Sequence, residues 1–502
     1  MKKSRNEMQQ APKRQPSSGK QSAKKLREAK RKAENRKENK EILTVTYLII
    51  ALFVGLIGYF CWFIGVESQN VINNSYNARL DRFSDRVVRG EILSGSGDIL
   101  AMTNVAQDGS ESRYYPYGSM FAHTVGYSTR GKTGIESLAN FYLLTSHMNP
   151  LEQVYNQLRD KKNPGDNVVT TLDLELQKIA YEGMGDRNGA VVVMEPATGR
   201  ILAMVSKPDY NPNTIKEDYD SIIEDTDNSS LVNRASQGLY PPGSIFKLVT
   251  ALEFIREYPD SWQDFTYTCP GVLAVEDYSI RCSGGTAHGT VDLKKAVEKS
   301  CNGAFATIGL MLNNESFTHL CDTLLFNQKM PFALASGRSR FNLTADADKW
   351  EVLQTAFGQG NTQITPLHAA MIVAAIANGG EMKEPYIIER IENANGQKVQ
   401  SFASEGSHRV MTGDEAALLK DFMVGVVSEG TGKSVKSKDY QAAAKTGSAQ
   451  FESGKETHAW FVAFAPADDP KLAISIVLEE TGAGGTNAGP IAKKIFDAYL
   501  SR

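Results

Sequence analysis

The stretch "GAVVVMEPATGRILAMVS", residues 189–206, decides the fold class of this chain. It holds two runs of apolar and β-branched residues on either side of Pro196-Ala-Thr-Gly199. Such residues favour strands, and Pro and Gly a few positions apart are typical of a turn. The stretch therefore predicts a β-hairpin.

The C-terminal end of the chain mirrors this hairpin. Three strand-like runs follow one another, "YQAAAKTGSAQ", "HAWFVAFAP" and "LAISIVLEE", and an amphipathic "PIAKKIFDAYL" ends the pattern. Between the two groups, residues 215–430 are mostly helical by periodicity, and "TPLHAAMIVAAIAN" is the clearest buried helix. We predict one mixed α+β domain, in which an antiparallel sheet carries its edge helices on one face and a helical lobe on the other.

Upstream of this domain the chain is polar and mixed. "RLDRFSDRVVRGEILSGSGDILA" indicates a helix followed by short strands, and "LRDKKNPGDNVV" has the composition of a connector between domains. We therefore predict a small N-terminal domain over residues 67–165, called the pedestal domain below, and the larger α+β domain over residues 166–502.

A transmembrane helix is predicted over residues 42–66, "ILTVTYLIIALFVGLIGYFCWFIGV", which contain no charged residue. At about 1.5 Å per residue this run can cross a hydrocarbon core of about 30 Å. A cleaved signal peptide would have an apolar core of about 7–15 residues and a small-residue cleavage site. The run is longer and ends in "GVESQN", so we expect an uncleaved anchor.

The charges on the two sides of this anchor differ in sign. Residues 1–41 hold 15 Lys/Arg against 5 Asp/Glu, and residues 67–502 hold 40 against 53. The positive-inside rule places the basic tail, 1–41, in the cytoplasm and the rest outside a single-pass membrane protein. Anionic lipid or nucleic acid is an alternative role for such a tail. A solvated, disordered topology signal is the simpler interpretation, so no nucleic-acid partner is expected.

The stretch "YPPGSIFKLVT", residues 240–250, places a serine and a lysine three positions apart. A helix after "YPPG" would begin near Ser244, so its free N–H groups and positive dipole end would face whatever Ser244 attacks. Lys247 lies on the same helix face and can accept the serine proton if burial or a second cation lowers its pKa from about 10.4. This geometry suits acyl transfer through a serine ester.

Order and context separate this pattern from chance copies of it. Ser-x-x-Lys also occurs twice in the basic tail, and Ser-x-Asn and Lys-Thr-Gly have copies elsewhere in the chain. A single set lies in one domain in the order Ser244-x-x-Lys247, Ser300-x-Asn302, Lys445-Thr446-Gly447.

In this order the three motifs resemble those of the class B, monofunctional penicillin-binding proteins. The segments "RGEILSGSGDILA", "GAVVVMEPATGRILAMVSKPDYNPN" and "FGQGNTQITPLHAA" carry the same resemblance, which extends from about residue 70 to the C-terminus. It implies a penicillin-binding, serine β-lactamase-like transpeptidase fold. It also implies a peptidoglycan D,D-transpeptidase that needs no metal or organic cofactor.

The resemblance also implies catalytic roles. Ser244 corresponds to the acylated nucleophile and Lys247 to its general base. Ser300 and Asn302 correspond to the motif that relays a proton and orients the substrate amide. The middle residue of that motif, Cys301, is interpreted as a packed thiol rather than a nucleophile.

Substrate-binding roles are implied for the third motif. Lys445 and Thr446 would hold the terminal carboxylate of the substrate, and Gly447 would let the strand approach the ligand closely. The backbone N–H groups of Ser244 and Ser448 would form the oxyanion hole.

By the same resemblance, the donor is the D-Ala-D-Ala end of a peptidoglycan stem peptide, and an amine of a neighbouring stem is the acceptor. β-Lactams would trap the same serine. Residues 67–165 are short for a glycosyltransferase, so a multi-spanning glycan polymerase is the expected partner in the membrane.

Two alternatives belong to other classes. A serine β-lactamase or D,D-carboxypeptidase would pass the acyl group to water, and a membrane β-lactam sensor would signal inward. No glutamate within 303–444 stands in the E-x-x-L-N setting of class A β-lactamases. A sensor usually has several spans and a cytoplasmic effector domain, which a 41-residue tail does not provide.

The cysteines outside the anchor are Cys269, Cys282, Cys301 and Cys321. No pair has C-x-x-C spacing and the chain has only 7 His, which argues against a zinc site. Cys269 and Cys282 flank a short strand-like stretch. We predict a disulfide between them, although their spacing also allows free thiols. His288 and Gln359 are interpreted as structural supports.

Overall fold

The computed structural model describes residues 18–64, 85–404, 406–452 and 454–502. The chain divides into two units, Met1–Ile72 and Asn73–Arg502. The first unit contains the helix Ser18–Trp62. The helices of the second unit are Ala122–Val125, Gly134–Leu138, Asn140–Leu143, Pro150–Leu158, Leu174–Met184, Ile215–Glu224, Lys247–Glu257, Leu293–Lys299, Asn302–Gly309, Asn314–Thr323, Lys349–Ala356, Pro366–Ala377, Gly413–Ser428, Gly484–Asn487 and Gly489–Leu500.

The hairpin predicted at 189–206 lies inside a five-stranded sheet, called the central sheet below. Every neighbouring pair in it is antiparallel. The strand order is Ala443–Ala449, His458–Ala465, Leu472–Leu478, Gly189–Met194 and Ile201–Lys207. The predicted α+β fold is thus confirmed, and the strand that carries the Lys-Thr-Gly motif forms one edge of the sheet.

Both faces of the central sheet are covered by helices. Along Gly189–Met194 the side chains alternate, because successive residues of a strand face opposite sides. Val191 and Val193 belong to an apolar cluster with the helices Leu174–Met184 and Gly489–Leu500. Val192 and Met194 belong to a second cluster, together with the helix Pro366–Ala377 and the rest of the helical lobe. This two-sided burial explains why the strand is apolar at every position.

A six-stranded sheet, called the pedestal sheet below, forms the other large β-structure. Its strand order is Lys398–Ser401, Ile388–Glu392, Asn167–Thr170, Ile92–Leu93, Ile99–Val105 and Glu111–Tyr114. The segment interpreted as a connector therefore ends in a strand of this sheet, Asn167–Thr170. Its residues Val168 and Val169 are buried. Two further strands come from residues 388–401, far along the chain from the pedestal segments.

A buried ion network holds the pedestal domain together. The Glu136 carboxylate is fully buried between the guanidinium groups of Arg89 and Arg113, at 2.6 Å from each. Burial alone would raise the pKa of Glu136, but the two arginines outweigh it and hold the pKa below its ordinary value. Breaking such a buried group apart costs about 3–5 kcal/mol.

The N-terminal helix differs from the expectation of a disordered tail, because the chain is already helical from Ser18. The segment "KKLREAKRKAENRKENKE" is rich in good helix formers, which explains the extension. Its apolar part, residues 42–62, measures about 31 Å at the usual rise per residue, enough to cross a bilayer core. Residues 65 and 66 of the predicted span lie outside the described residues, as does most of the helix predicted to precede the pedestal strands.

The insertion at 215–430 is less helical than its periodicity suggested. It also contains short antiparallel pairs, which join Tyr267–Cys269 to Gly289–Val291, Val272–Val275 to Tyr278–Arg281, and Glu381–Lys383 to Ser407–Arg409. One further pair in the unit, Val87–Val88 with Asn163–Pro164, is parallel. The first two pairs form a small β-region that lies beside the second motif.

Candidate active site

The predicted nucleophile lies on a tight turn. Ser244 is part of the 3₁₀ turn Gly243–Phe246, which continues directly into the helix Lys247–Glu257. Gly243 has a φ of +55°, a conformation that favours glycine, and its N–H donates to the carbonyl of Gly358 at 2.7 Å. Ser244 is half-buried, whereas its neighbours Gly243 and Ile245 are buried.

Lys247 joins the first motif to the second. Its ammonium group is fully buried and donates to the carbonyl of Ser300 and to Oδ1 of Asn302, both at 2.7 Å. The Ser300 hydroxyl lies 3.3 Å from the same nitrogen. Burial lowers the pKa of Lys247 to about 7. Among the described contacts it makes no hydrogen bond with the Ser244 hydroxyl, so proton transfer between the two would require a small movement of the side chains.

Lys445 reaches the Ser300 hydroxyl from the edge of the central sheet. Its Nζ donates to the Ser300 hydroxyl and to the carbonyl of Thr446, both at 2.9 Å, and the side chain is fully buried. Burial, followed by repulsion from Lys247, lowers the pKa of Lys445 well below its usual value. The Ser300 hydroxyl therefore links two lysines whose charged forms are both disfavoured by burial.

The second motif sits at a break between two helices. Ser300 ends Leu293–Lys299 in a left-handed conformation, with φ +55°, and Cys301 caps the next helix by accepting the N–H of Ala304. Asn302 is held on its other side, since its Nδ2 donates to the carbonyl of Arg281 at 2.8 Å. The break turns Ser300 and Asn302 toward Lys247. The side chain of Cys301 is fully buried and lies beside Cys282.

Gly447 is required by the protein's own packing. A Cβ there would lie 2.9 Å from the Cβ of Trp460 and 3.3 Å from the carbonyl oxygen of Pro242. The sequence had suggested close approach to a ligand as the reason for this glycine, and protein contacts already require it. The next residue, Ser448, is exposed, and its carbonyl would lie 3.1 Å from a Cβ on Gly243. The nucleophile turn and the third motif are thus in contact.

Sequence reasoning missed Thr431. Its hydroxyl lies 2.6 Å from that of Thr446, which is nearly buried. Thr431 follows the helix Gly413–Ser428 in the segment "EGTGK", which matches no motif considered above. This contact orients the Thr446 hydroxyl of the third motif.

The other copies of the motifs lie elsewhere. Lys132-Thr133-Gly134 belongs to the pedestal domain, where it leads into the short helix Gly134–Leu138. The Ser-x-Asn copies at 68–70 and 75–77 lie outside the described residues. Gln359, interpreted as a support, lies in a turn and donates its backbone N–H to the carbonyl of Gln354.

The predicted disulfide is not formed. Cys269 and Cys282 are free thiols whose sulfur atoms lie 3.6 Å apart, whereas a disulfide requires about 2.0 Å. The two thiols share their space with two further donors, which the sequence analysis had treated as a packed thiol and a structural support. Together these residues form what we call the cysteine–histidine cluster: Cys269, Cys282, His288 and Cys301.

Comparison with known proteins identifies the family of this chain. Residues 189–497 match the penicillin binding protein transpeptidase domain. The chain belongs to that family. Residues 89–168 match the penicillin binding protein A dimerisation domain, which corresponds to most of the pedestal segments. The resemblance to the class B penicillin-binding proteins is thereby confirmed.

Individual members of the family cover most of the chain. The peptidoglycan D,D-transpeptidase PbpA of Mycolicibacterium smegmatis is 31% identical over 450 residues, which cover 84% of this chain and 90% of that protein. The peptidoglycan D,D-transpeptidase MrdA of Acinetobacter baumannii is 30% identical over 451 residues, 78% of this chain and 66% of that protein. The chain thus spans slightly less than two thirds of MrdA.

Solved structures of the family have the same fold. The ceftriaxone acyl-enzyme complex of penicillin-binding protein A from M. tuberculosis superposes with a TM-score of 0.76 at 27% identity, covering 84% of this chain and 100% of that one. The D,D-transpeptidase domain from Eggerthella lenta gives a TM-score of 0.75 at 30% identity, covering 83% and 100%.

Proposed function

We propose that this chain is a peptidoglycan D,D-transpeptidase that works through an acyl-enzyme at Ser244 and is a target of β-lactam antibiotics. One observation carries the proposal. Two fully buried lysines from different motifs, Lys247 and Lys445, converge on the hydroxyl of Ser300 beside the turn that holds Ser244. Similarity to peptidoglycan D,D-transpeptidases, and to a structure acylated by ceftriaxone, supports the same reaction class.

In the acylation step, Ser244 Oγ attacks the carbonyl of the penultimate D-Ala while Lys247 takes the hydroxyl proton. With a pKa of about 7, Lys247 is neutral in a large share of molecules at neutral pH and can act as a base. The C–N bond to the last D-Ala then breaks, and the departing amine takes up the proton through Lys247 and Ser300. Backbone N–H groups of Ser244 and Ser448 are assigned to the developing oxyanion.

Resolution of the acyl-enzyme follows the same path in reverse. An amine of a neighbouring stem peptide attacks the ester, loses a proton to Lys247 and forms the cross-link. The bond from the acyl carbon to Ser244 Oγ breaks, and this oxygen takes the proton back from Lys247. Asn302 is assigned to the substrate amide and the third motif to the terminal carboxylate. Entry of that carboxylate would favour the protonated form of Lys445, which burial disfavours.

We also propose the domain limits and membrane topology predicted from the sequence. The basic tail 1–41 would lie in the cytoplasm, residues 42–66 would span the membrane, and the pedestal and transpeptidase domains, 67–165 and 166–502, would lie outside. A glycan polymerase in the same membrane is the proposed partner, because the pedestal domain is short for that activity. Reaction of an introduced Ser22→Cys thiol with an impermeant reagent only in opened cells would support the topology.

The proposed function is tested with the full chain in detergent. Incubation with a D-Ala-D-Ala stem peptide and an amine acceptor should release D-Ala and give the cross-linked product, both followed by mass spectrometry. A fluorescent penicillin should block the reaction and label Ser244. Ser244→Ala should lose labelling and product while its thermal unfolding midpoint stays nearly unchanged. Labelling that persists in this variant would refute the assignment.

The fate of the acyl-enzyme separates a transpeptidase from a β-lactamase. Hydrolysis needs a further base that activates water on the ester. We expect the penicillin adduct to last for minutes or longer, because the chain lacks the E-x-x-L-N glutamate. Loss of the adduct within a second, with steady release of penicilloate, would instead assign the chain to the β-lactamases.

A further inference from the structure

We propose that the cysteine–histidine cluster is a structural zinc site that holds the second catalytic motif in place. Three thiols and an imidazole form the donor set, and zinc prefers such a set in a four-coordinate, tetrahedral site. Nothing in the reaction proposed above uses these four side chains, so the two proposals stand independently.

The distances fit a tetrahedron around one ion. With Zn–S bonds of about 2.3 Å, sulfur atoms of a tetrahedral site lie about 3.8 Å apart. In the structure, Cys269 and Cys282 are 3.6 Å apart, and Cys282 and Cys301 are 3.8 Å apart. With a Zn–N bond of about 2.0–2.1 Å, sulfur and nitrogen should be about 3.6 Å apart. The Cys269 sulfur lies 3.5 Å from Nδ1 of His288. All four donor atoms lie within 4.8 Å of one another.

The backbone around the cluster is arranged to converge on one point. Cys269 ends a strand whose partner begins at Gly289, directly after His288. Cys282 follows the second hairpin, and its N–H donates to the carbonyl of Gly271 at 2.9 Å. Cys301 comes from a separate element, the start of the helix Asn302–Gly309. A bound ion would therefore join the small β-region to the helical lobe.

Burial points to a structural site. Cys269 and Cys282 are 2% exposed and Cys301 is fully buried, while His288 is half-buried. Four protein donors complete a tetrahedral shell and leave no position for a water or substrate, which distinguishes structural from catalytic zinc sites.

The cluster reaches the active site through one residue. Cys301 lies between Ser300 and Asn302, and both of those neighbours hydrogen-bond to Lys247. A metal–sulfur bond to Cys301 would fix the backbone on which the two polar side chains stand. The ion would thus position the second motif without contacting substrate.

Metal content of the full chain, purified in detergent without added metal, tests the proposal. Elemental mass spectrometry should find about one zinc ion per chain. Cys282→Ser should lose nearly all of it. Cys321→Ser is the matched control, since Cys321 is a fully buried free thiol outside the cluster, and it should keep the ion. Ser244→Ala should also keep it, so failure of the zinc site and failure of the proposed function are distinguishable.

A second measurement uses the unaltered chain, so it does not depend on whether a cysteine variant folds. Exchange of the ion for Co²⁺ in the unaltered chain should produce thiolate-to-cobalt charge transfer and the intense visible bands of tetrahedral Co²⁺. His288 is half-buried, so its replacement should disturb folding little. His288→Gln should weaken these bands or change their pattern. Absence of stoichiometric zinc together with absence of these bands would overturn the proposal. A Cys269–Cys282 disulfide in the intact protein as purified would overturn it equally.

Discussion

Two groups of side chains meet at the tripeptide Ser300-Cys301-Asn302, and they differ in chemistry. The outer residues hydrogen-bond to Lys247, so they belong to a polar site built around two buried lysines. The middle residue lies among thiols and an imidazole. The left-handed backbone at Ser300 separates the two environments. Adjacent residues thus face two environments, for which we propose proton transfer on one side and structural support on the other.

The largest change in acylation rate is expected when Lys247, on the polar side of the tripeptide, is replaced. Lys247→Ala removes the proposed proton acceptor and should lower the rate of penicillin acylation by about 10²- to 10⁴-fold, measured as covalent labelling over time. Lys25→Ala is the control, because it changes the lysine of a chance Ser-x-x-Lys match in the basic tail. It should leave the acylation rate unchanged. Equal rates in the two variants would remove Lys247 from the mechanism.

Removal of the proposed zinc ion should have the next largest effect. A misplacement of about 1 Å in an active site can cost about 100-fold in rate. We therefore expect the chelator-treated chain to acylate up to about 100-fold more slowly and to recover when zinc is restored. An unchanged rate in protein shown to be metal-free would mean that the two groups of side chains are independent.

The pH dependence should be smaller. Lys247 must be neutral to accept a proton, and its pKa is lowered to about 7, so the active fraction rises as pH rises through that value. The acylation rate should increase roughly tenfold between pH 6 and pH 8. Zinc content measured across the same range is the control for loss of the ion. A flat profile, or a rate that falls with rising pH, would contradict the role of Lys247.

The smallest effect is expected at Thr431, which no motif contains. Thr431→Val keeps the shape but removes the hydroxyl that pairs with Thr446 at 2.6 Å. A neutral hydrogen bond contributes about 0.5–1.5 kcal/mol, so acylation should slow by roughly 2- to 13-fold. Thr431→Ser retains the hydroxyl and should restore most of the rate. Failure of serine to rescue would indicate that the methyl group, rather than the hydroxyl, matters here.

The sequence predicted the parts of this molecule that depend on local pattern. The strands at 189–206 and 443–478 follow from their apolar runs, and the order of the three motifs predicts that Ser244 and Lys445 are parts of one site. Strand pairing between Asn167–Thr170 and Ile388–Glu392 could not be predicted, because the partners lie over 200 residues apart and neither segment is strongly apolar.

The cysteine–histidine cluster escaped prediction for a similar reason. Its four residues stand at intervals of 13, 6 and 13 positions, which match none of the short spacings typical of zinc motifs. They meet because the small β-region folds Cys269 and His288 together and the helix break brings Cys301 to them. Two cysteines flanking a hairpin-like stretch favoured a disulfide, and the other two donors gave no signal of their own.

The pedestal sheet combines strands from both sides of the predicted domain boundary, and this limits where the chain can be cut into fragments. A fragment beginning at Asp166 would keep the whole transpeptidase segment but lose Ile92–Leu93, the neighbour of Asn167–Thr170. The remaining three strands would end in an unpaired edge, which invites pairing between copies and aggregation. The predicted boundary between the two domains in the chain therefore does not coincide with a boundary between sheets in the fold. Recombination at that point would join strands of different origin in one sheet unless residues 388–401 were exchanged as well.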